Sequence, residues 1–292
     1  MPFSSDLAAI IVRHALAEGA NETAVAGLVL YRGGGDIPRQ PVIYKPSICV
    51  VAQGRKRLFL GEESYRYDPN NYLINSLTLP IEAEVSGGSP QQHYLGLSLE
   101  IDPELVGNLI LQMDQYQDHR HNVGTEDIIA ATPLSDRLRQ AFARLIELGD
   151  APMDRDILCD SIKREIFYEV LKGPRGDLLR NCVRSHRGAN RIAPVVHFIE
   201  QNFHRPLDID VIADVAQMST SSLHEHFKAV TSLAPMQFVK NLRLHRARAL
   251  LLSGAKASEA CYQVGYGSPS QFSREFRRLF GHPPKEVQAP NK

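Results

Sequence analysis

The chain has 292 residues, 33 Lys and Arg against 33 Asp and Glu, and four cysteines. Its length exceeds that of one ordinary domain, so two domains are expected. The cysteines (Cys49, Cys159, Cys182 and Cys261) lack the paired spacing of a zinc site or a disulfide framework, and this scatter fits a reducing cytoplasm. Because no apolar run approaches membrane-spanning length, a membrane protein is not expected either.

The zero net charge hides an asymmetry between the two parts of the chain. Residues 181–292 carry 15 Lys and Arg against 8 Asp and Glu, a balance of +7, and residues 1–180 carry the opposite balance of −7. A basic C-terminal part suits a polyanion such as double-stranded DNA, and the acidic remainder limits nonspecific attachment.

The first 19 residues predict an amphipathic helix, because Asp6, Arg13 and His14 interrupt the apolar residues that a signal peptide would keep together. From about Gly27 to Asp102 the hydrophobic period changes to two, which predicts a small barrel or sandwich of short strands. The clearest predicted strands are Ser47–Ala52, Arg55–Leu60, Tyr72–Leu79 and Tyr94–Ile101.

Helices are predicted after the strands. Their apolar stripes consist of Leu138, Phe142, Leu145 and Ile146 in one helix and of Leu158, Ile162, Ile166 and Val170 in the next. Apolar surface beyond what the barrel covers would pair two chains, so a homodimer is expected. Gly173 and Pro174 end the second helix, and the Gly-containing, charged residues 173–190 are predicted to form a linker.

Two helix pairs are predicted in the last third of the chain. In the first, Asp208 caps a short helix, Met218–Thr220 turns the chain, and Leu223, Phe227 and Val230 stripe a second helix. Met236–Leu252 then forms one helix without an internal Gly or Pro, about 25 Å long. With the width of the two pairs added, the two outer helices would reach successive major grooves, about 34 Å apart on DNA.

The second helix pair carries the stronger local signals. Ser258–Val264 is a short helix, and Gly265 supplies the permissive backbone for a tight turn. Ser268 acts as N-cap, Pro269 fits the first helical position, and Gln271 completes a capping box. Phe272, Phe276 and Leu279 form an apolar stripe opposite a basic face, so both pairs are predicted to be helix-turn-helix units.

These residues resemble a known family. LHEHFKAVTSLAPMQFVKNLRLHRARALL, followed by ACYQVGYGSPSQFSREFRRLFGHPP, is similar to the AraC/XylS-type transcription regulators over about 100 residues. The stretch SICVVAQGRKRLFLG, with HYLGLSLEID further on, resembles the cupin-like N-terminal domain of one AraC subgroup over roughly residues 25–102. The resemblance implies an α+β chain with an N-terminal cupin-like β-barrel and helices (1–172), the linker (173–190) and an all-α tandem helix-turn-helix domain (191–292).

The resemblance also implies which residues read DNA. Its base-reading positions fall on Ser221, His224 and Glu225 in the first unit and on Ser270, Gln271 and Arg274 in the second. Arg reads guanine, Glu accepts from cytosine and Gln suits adenine. The expected phosphate contacts are Ser222, Lys228, Ser268, Ser273, Arg277 and Arg278. Because the first outer helix has only Lys228 for basic charge and Glu225 repels phosphate, the second unit is expected to anchor at least as strongly.

The candidates for an effector pocket are Cys49, Val51, Tyr65, Tyr72 and His93. Cys49 is more simply a small core residue, and a sensor role would need Arg55 or Lys56 to lower the pKa of its thiol. The tyrosines are more simply amphipathic residues at the edges of a core.

His119 and His121, with Glu126 nearby, suggest a cupin metal site, but they follow the predicted strands in a polar segment, where a solvated helix end is favoured. Neither a metal nor another cofactor is predicted. No pairing of a nucleophile with a base is evident either, so an enzyme is not expected.

The sequence therefore predicts a cytoplasmic transcription regulator. The resemblance implies that a small-molecule effector in the barrel changes how the domains or subunits are arranged on double-stranded DNA, and RNA polymerase is a further candidate partner. The alternatives are a cupin-type enzyme with a DNA-binding tail and a ligand-independent regulator whose barrel only dimerises. The effector, the operator and the choice between activator and repressor stay open.

Overall fold

The computed structural model describes residues 6–89, 91–116, 127–185 and 191–287. The chain forms two compact units. The first consists of residues 1–39, 45–77 and 83–187, and the second of residues 188–292 with the short strand segments 40–44 and 78–82. The first unit combines strands with helices, and residues 191–287 of the second form helices and turns, which confirms the predicted α+β fold class.

In the described residues up to 185, a helix precedes a run of strands, and helices follow. The elements are α1 (Leu7–His14), β1 (Gly19–Glu22), β2 (Leu28–Gly33), β3 (Ile37–Tyr44), β4 (Ser47–Gln53), β5 (Arg55–Leu60), β6 (Glu63–Tyr67), β7 (Asn71–Asn75), β8 (Leu79–Ser86), β9 (Tyr94–Glu100), α2 (Pro103–Met113), β10 (Ile129–Pro133), α3 (Asp136–Glu147), a 3₁₀ turn (Leu148–Asp150), α4 (Pro152–Lys172) and α5 (Gly176–Ser185). Asp6 caps α1 through its carboxylate, which accepts from the Ala8 amide at 3.2 Å.

The strands form two sheets. One has six strands in the order β1-β2-β9-β4-β7-β10, and the other has four in the order β3-β8-β5-β6. Neighbouring strands pair antiparallel, for example β4 with β7 and β9. The described strands thus divide between two separate sheets and do not close into one barrel, which makes the predicted barrel or sandwich more specific. Alternating apolar residues indicate that a strand has one buried face, but the strands of a barrel and of a sandwich share that pattern, so the pattern does not distinguish the two folds.

The predicted strand Tyr72–Leu79 is two strands. β7 ends at Asn75 and β8 begins at Leu79, and the residues between them leave the ladder. The amide and hydroxyl of Ser76 both donate to the carbonyl of Ile128, at 2.9 and 3.1 Å. This anchor comes from a segment more than 50 residues away, which explains why the local pattern did not reveal the break.

One large apolar core lies between the six-stranded sheet and the helices. Ile48 and Val50 of β4 contribute to it with Leu95, Leu97 and Leu99 of β9. The predicted stripe of α3 (Leu138, Phe142, Leu145 and Ile146) is buried in this core. In α4, Ile162, Ile166 and Val170 are buried as predicted, but Leu158 is exposed.

The predicted linker contains a helix. Residues 176–185 form α5, and its Leu178, Leu179 and Cys182 are buried in the N-terminal core. Their spacing of one and four residues places them on one helical face, and the surrounding glycines and charges hid this signal. The domain boundaries stay a prediction.

The second unit contains six helices in its described part after residue 190. They are α6 (Ile192–Asn202), α7 (Ile209–Ala216), α8 (Thr220–Thr231), α9 (Pro235–Leu252), α10 (Ala257–Gln263) and α11 (Pro269–Phe280), followed by a 3₁₀ turn (Pro284–Glu286). The C-terminal half of α9 packs with α10 and α11 around the buried rings of Phe272 and Phe276. No helix in the described ranges combines the length and apolar character that crossing a bilayer requires.

Candidate nucleic-acid interface

The second helix-turn-helix is closed by a glycine turn. After α10, Gly265 has a φ of +87°, and the amide of Tyr266 donates to the Cys261 carbonyl at 3.0 Å. A Cβ at Gly265 would lie 2.6 Å from the carbonyl oxygen of His204, at the end of the α6 region. Glycine is thus required twice, by the left-handed backbone and by the close approach of another segment.

The outer helix α11 is fixed at its start and along one side. The Ser268 hydroxyl accepts from the Gln271 amide at 3.3 Å, and Pro269 occupies the first turn, both as predicted. Phe272 and Phe276 are fully buried on the inner side. Because these contacts fix the rotation of the helix, the opposite side faces solvent.

That outer side carries the predicted DNA-contacting residues of the second unit. The residues with exposed side chains are Ser270, Gln271, Ser273, Arg274, Arg277 and Arg278. Ser268 is half-buried, and its hydroxyl already accepts the capping hydrogen bond. This exposure is what DNA contact requires, and the individual roles stay predictions.

Gln271 does not act as the capping box predicts. Its side-chain amide donates instead to Oε1 of Glu275 at 3.2 Å, one turn further along α11. Glu275 itself is 8% exposed and accepts a hydrogen bond of 2.8 Å from the Tyr266 hydroxyl on Oε2. Lys240 of α9 places its ammonium 3.4 Å from Oε1.

This buried carboxylate is the feature that sequence reasoning missed. Glu275 follows Phe272 by three residues and precedes Phe276, so its place on the apolar side was readable, and a carboxylate there needs partners. Burial raises the pKa of Glu275, but hydrogen bonds from Tyr266 and Gln271 and the charge of Lys240 outweigh it, leaving that pKa below its ordinary value. Burial of the Tyr266 hydroxyl, together with its hydrogen bond to Glu275, raises the pKa of Tyr266.

The first helix-turn-helix has the same plan with different details. Asp208 caps α7 as predicted, Gln217 takes the left-handed conformation at its end (φ 53°), and Ser219 caps α8 by accepting from the Ser222 amide at 3.3 Å. Phe227 is buried and meets Phe238 of α9 edge-to-face at 5.3 Å.

The predicted contact residues of α8 are on its outer side. Ser221, His224, Glu225 and Lys228 are exposed, and Ser222 is half-buried. His226, which the sequence reasoning passed over, is also exposed, and its Nδ1 lies 2.8 Å from the Ser222 carbonyl oxygen. Among the six outer residues, Lys228 is the only Lys or Arg, whereas α11 presents three arginines.

The predicted effector residues of the N-terminal unit do not form one group. Cys49 and Val51 are two residues apart on β4 and therefore share one face of the sheet. Val50 and Tyr72 pair in register and lie in the helix-packed core on the other face. The side chains of Tyr72 and Cys49 are therefore on opposite faces of the sheet. The backbone carbonyl of His93 accepts from the side-chain amide of Gln53 at 2.6 Å. The imidazole Nε2 of His93 lies 2.9 Å from the Arg32 guanidinium. Tyr65 is on β6, in the other sheet, and its hydroxyl donates to Glu63.

Cys49 does not have the environment of a reactive sensor. Burial raises the pKa of its thiol, and the nearby charge of Lys56 and hydrogen bonds from Ser47 and Tyr67 oppose this without reversing it. The same face of the sheet carries Tyr31, whose hydroxyl lies 3.1 Å from the Ser98 hydroxyl. Polar groups therefore do face this side of the sheet, where the sequence reasoning had named only Cys49 and Val51.

The described residues contain no group of three His, Cys, Asp or Glu side chains placed to hold a metal ion. His119, His121 and Glu126 lie outside the described residues. The prediction that no metal is bound stays a prediction.

Two family models match the chain. One, described as the AraC-type transcriptional regulator N-terminus, covers residues 24–178, and a helix-turn-helix domain model covers residues 212–289. The HTH-type transcriptional activator RhaS of Escherichia coli is 26% identical over 152 residues, which are 52% of this chain and 54% of RhaS. The chain thus matches about half the length of these curated relatives.

Solved structures of ToxT from Vibrio cholerae have a similar fold. Wild-type ToxT bound to an unsaturated fatty acid has a TM-score of 0.62 at 12% identity, with 93% of this chain and 100% of that chain covered. A second ToxT structure has a TM-score of 0.63 at 12% identity, covering 89% of this chain and 96% of that one. At such low identity the likeness concerns the fold alone.

Proposed function

The chain belongs to the AraC-type transcriptional regulators, and from this membership we propose that it binds specific DNA sequences under the control of a small molecule. The observation that carries the proposal is the second helix-turn-helix. Its outer helix turns three arginines to solvent while two phenylalanines and a turn glycine fix its rotation. Lys and Arg on an exposed helix face supply both phosphate attraction and base contacts.

The roles divide along α11. Arg274 lies near the middle of the helix and reads a base, and Arg277 and Arg278, one turn later, meet phosphate. The first unit contributes base contacts from Ser221, His224 and Glu225, but less charge, so the second unit anchors the protein at least as strongly. RhaS is named an activator, which supports activation, with RNA polymerase as the further partner and the cytoplasm as the place of action.

The effector binds in the N-terminal unit, which matches the family's N-terminal model over residues 24–178. ToxT carries a fatty acid in one solved structure, which supports a small organic effector here without identifying it.

The predicted dimer needs a new surface, because Phe142 and Leu145 are buried within their own chain. Met153, Ile157 and Leu158 are exposed apolar residues on α4, and we place a second copy of the chain there.

The test compares Arg274→Ala with Arg277→Ala, using the full chain and an operator obtained by selection from random oligonucleotides. Arg274→Ala costs about 1–3 kcal/mol and relaxes the preference at one base pair. Arg277→Ala weakens binding to all sequences alike and lowers the salt slope by about one unit. Both variants melt like the parent, because both side chains are exposed.

Two results would contradict the proposal. If the wild type selects no sequence and binds duplex DNA without salt dependence, the chain is not a sequence-specific DNA-binding protein. If Arg274→Ala loses affinity equally on every operator variant, that arginine contacts phosphate.

A further inference from the structure

Gln271 has one fixed neighbour within α11. It is exposed, and its side-chain nitrogen lies 3.2 Å from Oε1 of the buried Glu275, four residues further on. A carboxylate can only accept hydrogen bonds, whereas the two ends of a glutamine amide differ, one donating and one accepting. The Gln271 amide must therefore turn its NH₂ group toward Glu275 and its carbonyl oxygen away.

The carboxylate that imposes this orientation is itself held from two other elements. The Tyr266 hydroxyl of the turn donates to Oε2 at 2.8 Å, and the Lys240 ammonium of α9 lies 3.4 Å from Oε1. With Glu275 8% exposed, it cannot swing into solvent without leaving these partners behind. Its lowered pKa keeps it ionised, and so accepting only, at neutral pH.

The orientation decides what Gln271 can recognise. The carbonyl oxygen needs a donor, which adenine supplies through its N6 amino group and cytosine through N4. The second hydrogen on the Gln271 nitrogen stays available for adenine N7, so adenine receives two bonds. Guanine and thymine place the acceptors O6 and O4 where the carbonyl oxygen would meet them.

We propose that Glu275 is a positioning residue, which orients Gln271 so that it selects a base with an amino group in the major groove, adenine above all, against guanine and thymine. This inference rests on the proposed DNA-binding function. It assigns a sequence-determining role to a residue that itself touches no DNA.

The experiment measures base preference at one operator position with the full chain. The position is the one at which Gln271→Ala loses discrimination on a selected operator carrying each of the four bases in turn. The wild type prefers adenine there over guanine by about 5- to 150-fold, the range of one good side-chain pair. Glu275→Gln reduces this preference to less than about threefold, because a second amide at position 275 lets Gln271 turn either way.

Lys240→Met is the matched control. It removes the ion pair but leaves the carboxylate, so it keeps the wild-type preference even where overall affinity falls. A general loss of packing would weaken all four bases alike in Glu275→Gln and would leave their ratio unchanged.

Several outcomes overturn the inference. One is a Glu275→Gln protein that keeps the wild-type preference; another is a Gln271→Ala protein that changes discrimination at no position. A wild type that prefers guanine or thymine at the position set by Gln271 also overturns it, and this measurement remains if Glu275→Gln fails to fold. A wild type that discriminates at no operator position at all refutes the proposed function instead.

Discussion

Replacing Gly265 with alanine tests whether the turn of the second helix-turn-helix is held against the end of the α6 region. Alanine must adopt the left-handed conformation with a φ of +87°, and its Cβ must displace the His204 carbonyl oxygen 2.6 Å away. The first effect costs about 1–2 kcal/mol. The second is a forced shift of backbone in a packed region, which costs roughly 1–3 kcal/mol more.

Gly281→Ala is the matched control. Gly281 ends α11 with a φ of +82°, but a Cβ there meets nothing within 4 Å. It therefore carries only the conformational cost. Since about 1 kcal/mol lowers the melting temperature of a 60–100-residue domain by roughly 4–8 °C, Gly265→Ala lowers the C-terminal transition by at least about 8 °C, and by about twice as much as Gly281→Ala.

Thermal unfolding of the full-length variants, followed by circular dichroism, measures both shifts. DNA titration of the same proteins shows whether α11 stays in place: Gly281→Ala keeps its operator preference, and Gly265→Ala loses it together with stability. If the two variants melt within about 2 °C of each other, a span worth less than about 1 kcal/mol, the contact with His204 contributes nothing and the reasoning is refuted.

The variant Ile157→Asp on α4 reduces self-association in sedimentation without changing the melting temperature, because Ile157 is 67% exposed. In contrast, Phe142→Asp on α3 unfolds the N-terminal unit, because Phe142 is buried in its core. An unchanged sedimentation profile for Ile157→Asp would remove this face from the dimer. Burial, with the charge of Arg248, lowers the pKa of His245 to about 4. Since the unfolded chain takes up this proton near pH 6.5, stability falls as the pH drops from about 6.5 to about 4. His245→Phe, measured by denaturant unfolding across this range, loses part of that slope, and an identical slope in both proteins would contradict the assignment.

Local signals predicted α11 well. The Ser268 cap, Pro269 in the first turn and the spacing of Phe272 and Phe276 lie within nine residues, and the structure confirms each. These features need no knowledge of the rest of the chain, because a cap and an apolar stripe are set by positions three and four residues apart.

Contacts between distant segments were not predictable in this way. Two of the three partners of Glu275 come from α9 and the turn, so the sequence could show a charge on the apolar side but not Lys240 or Tyr266 beside it. The arrangement of the effector candidates was not predictable for a similar reason. The side on which Cys49 lies follows from its own strand, but its relation to Tyr72 depends on the register of β4 with β7.

The helix α9 joins the two helix-turn-helix units by taking part in the packing of both. Near its start Phe238 meets Phe227 of α8, and in its C-terminal half Leu244, Ala247 and Leu251 lie in the core with α10 and α11. One residue inserted in α9 between these contacts would turn α11 by about 100° about the axis of α9 relative to α8. One base pair inserted in an operator turns its grooves by only about 35°. The rotation of about 100° per residue and the rotation of about 35° per base pair do not match, so an operator with a different spacing requires a different protein. The helix α9 itself can lengthen only by about whole turns of three or four residues.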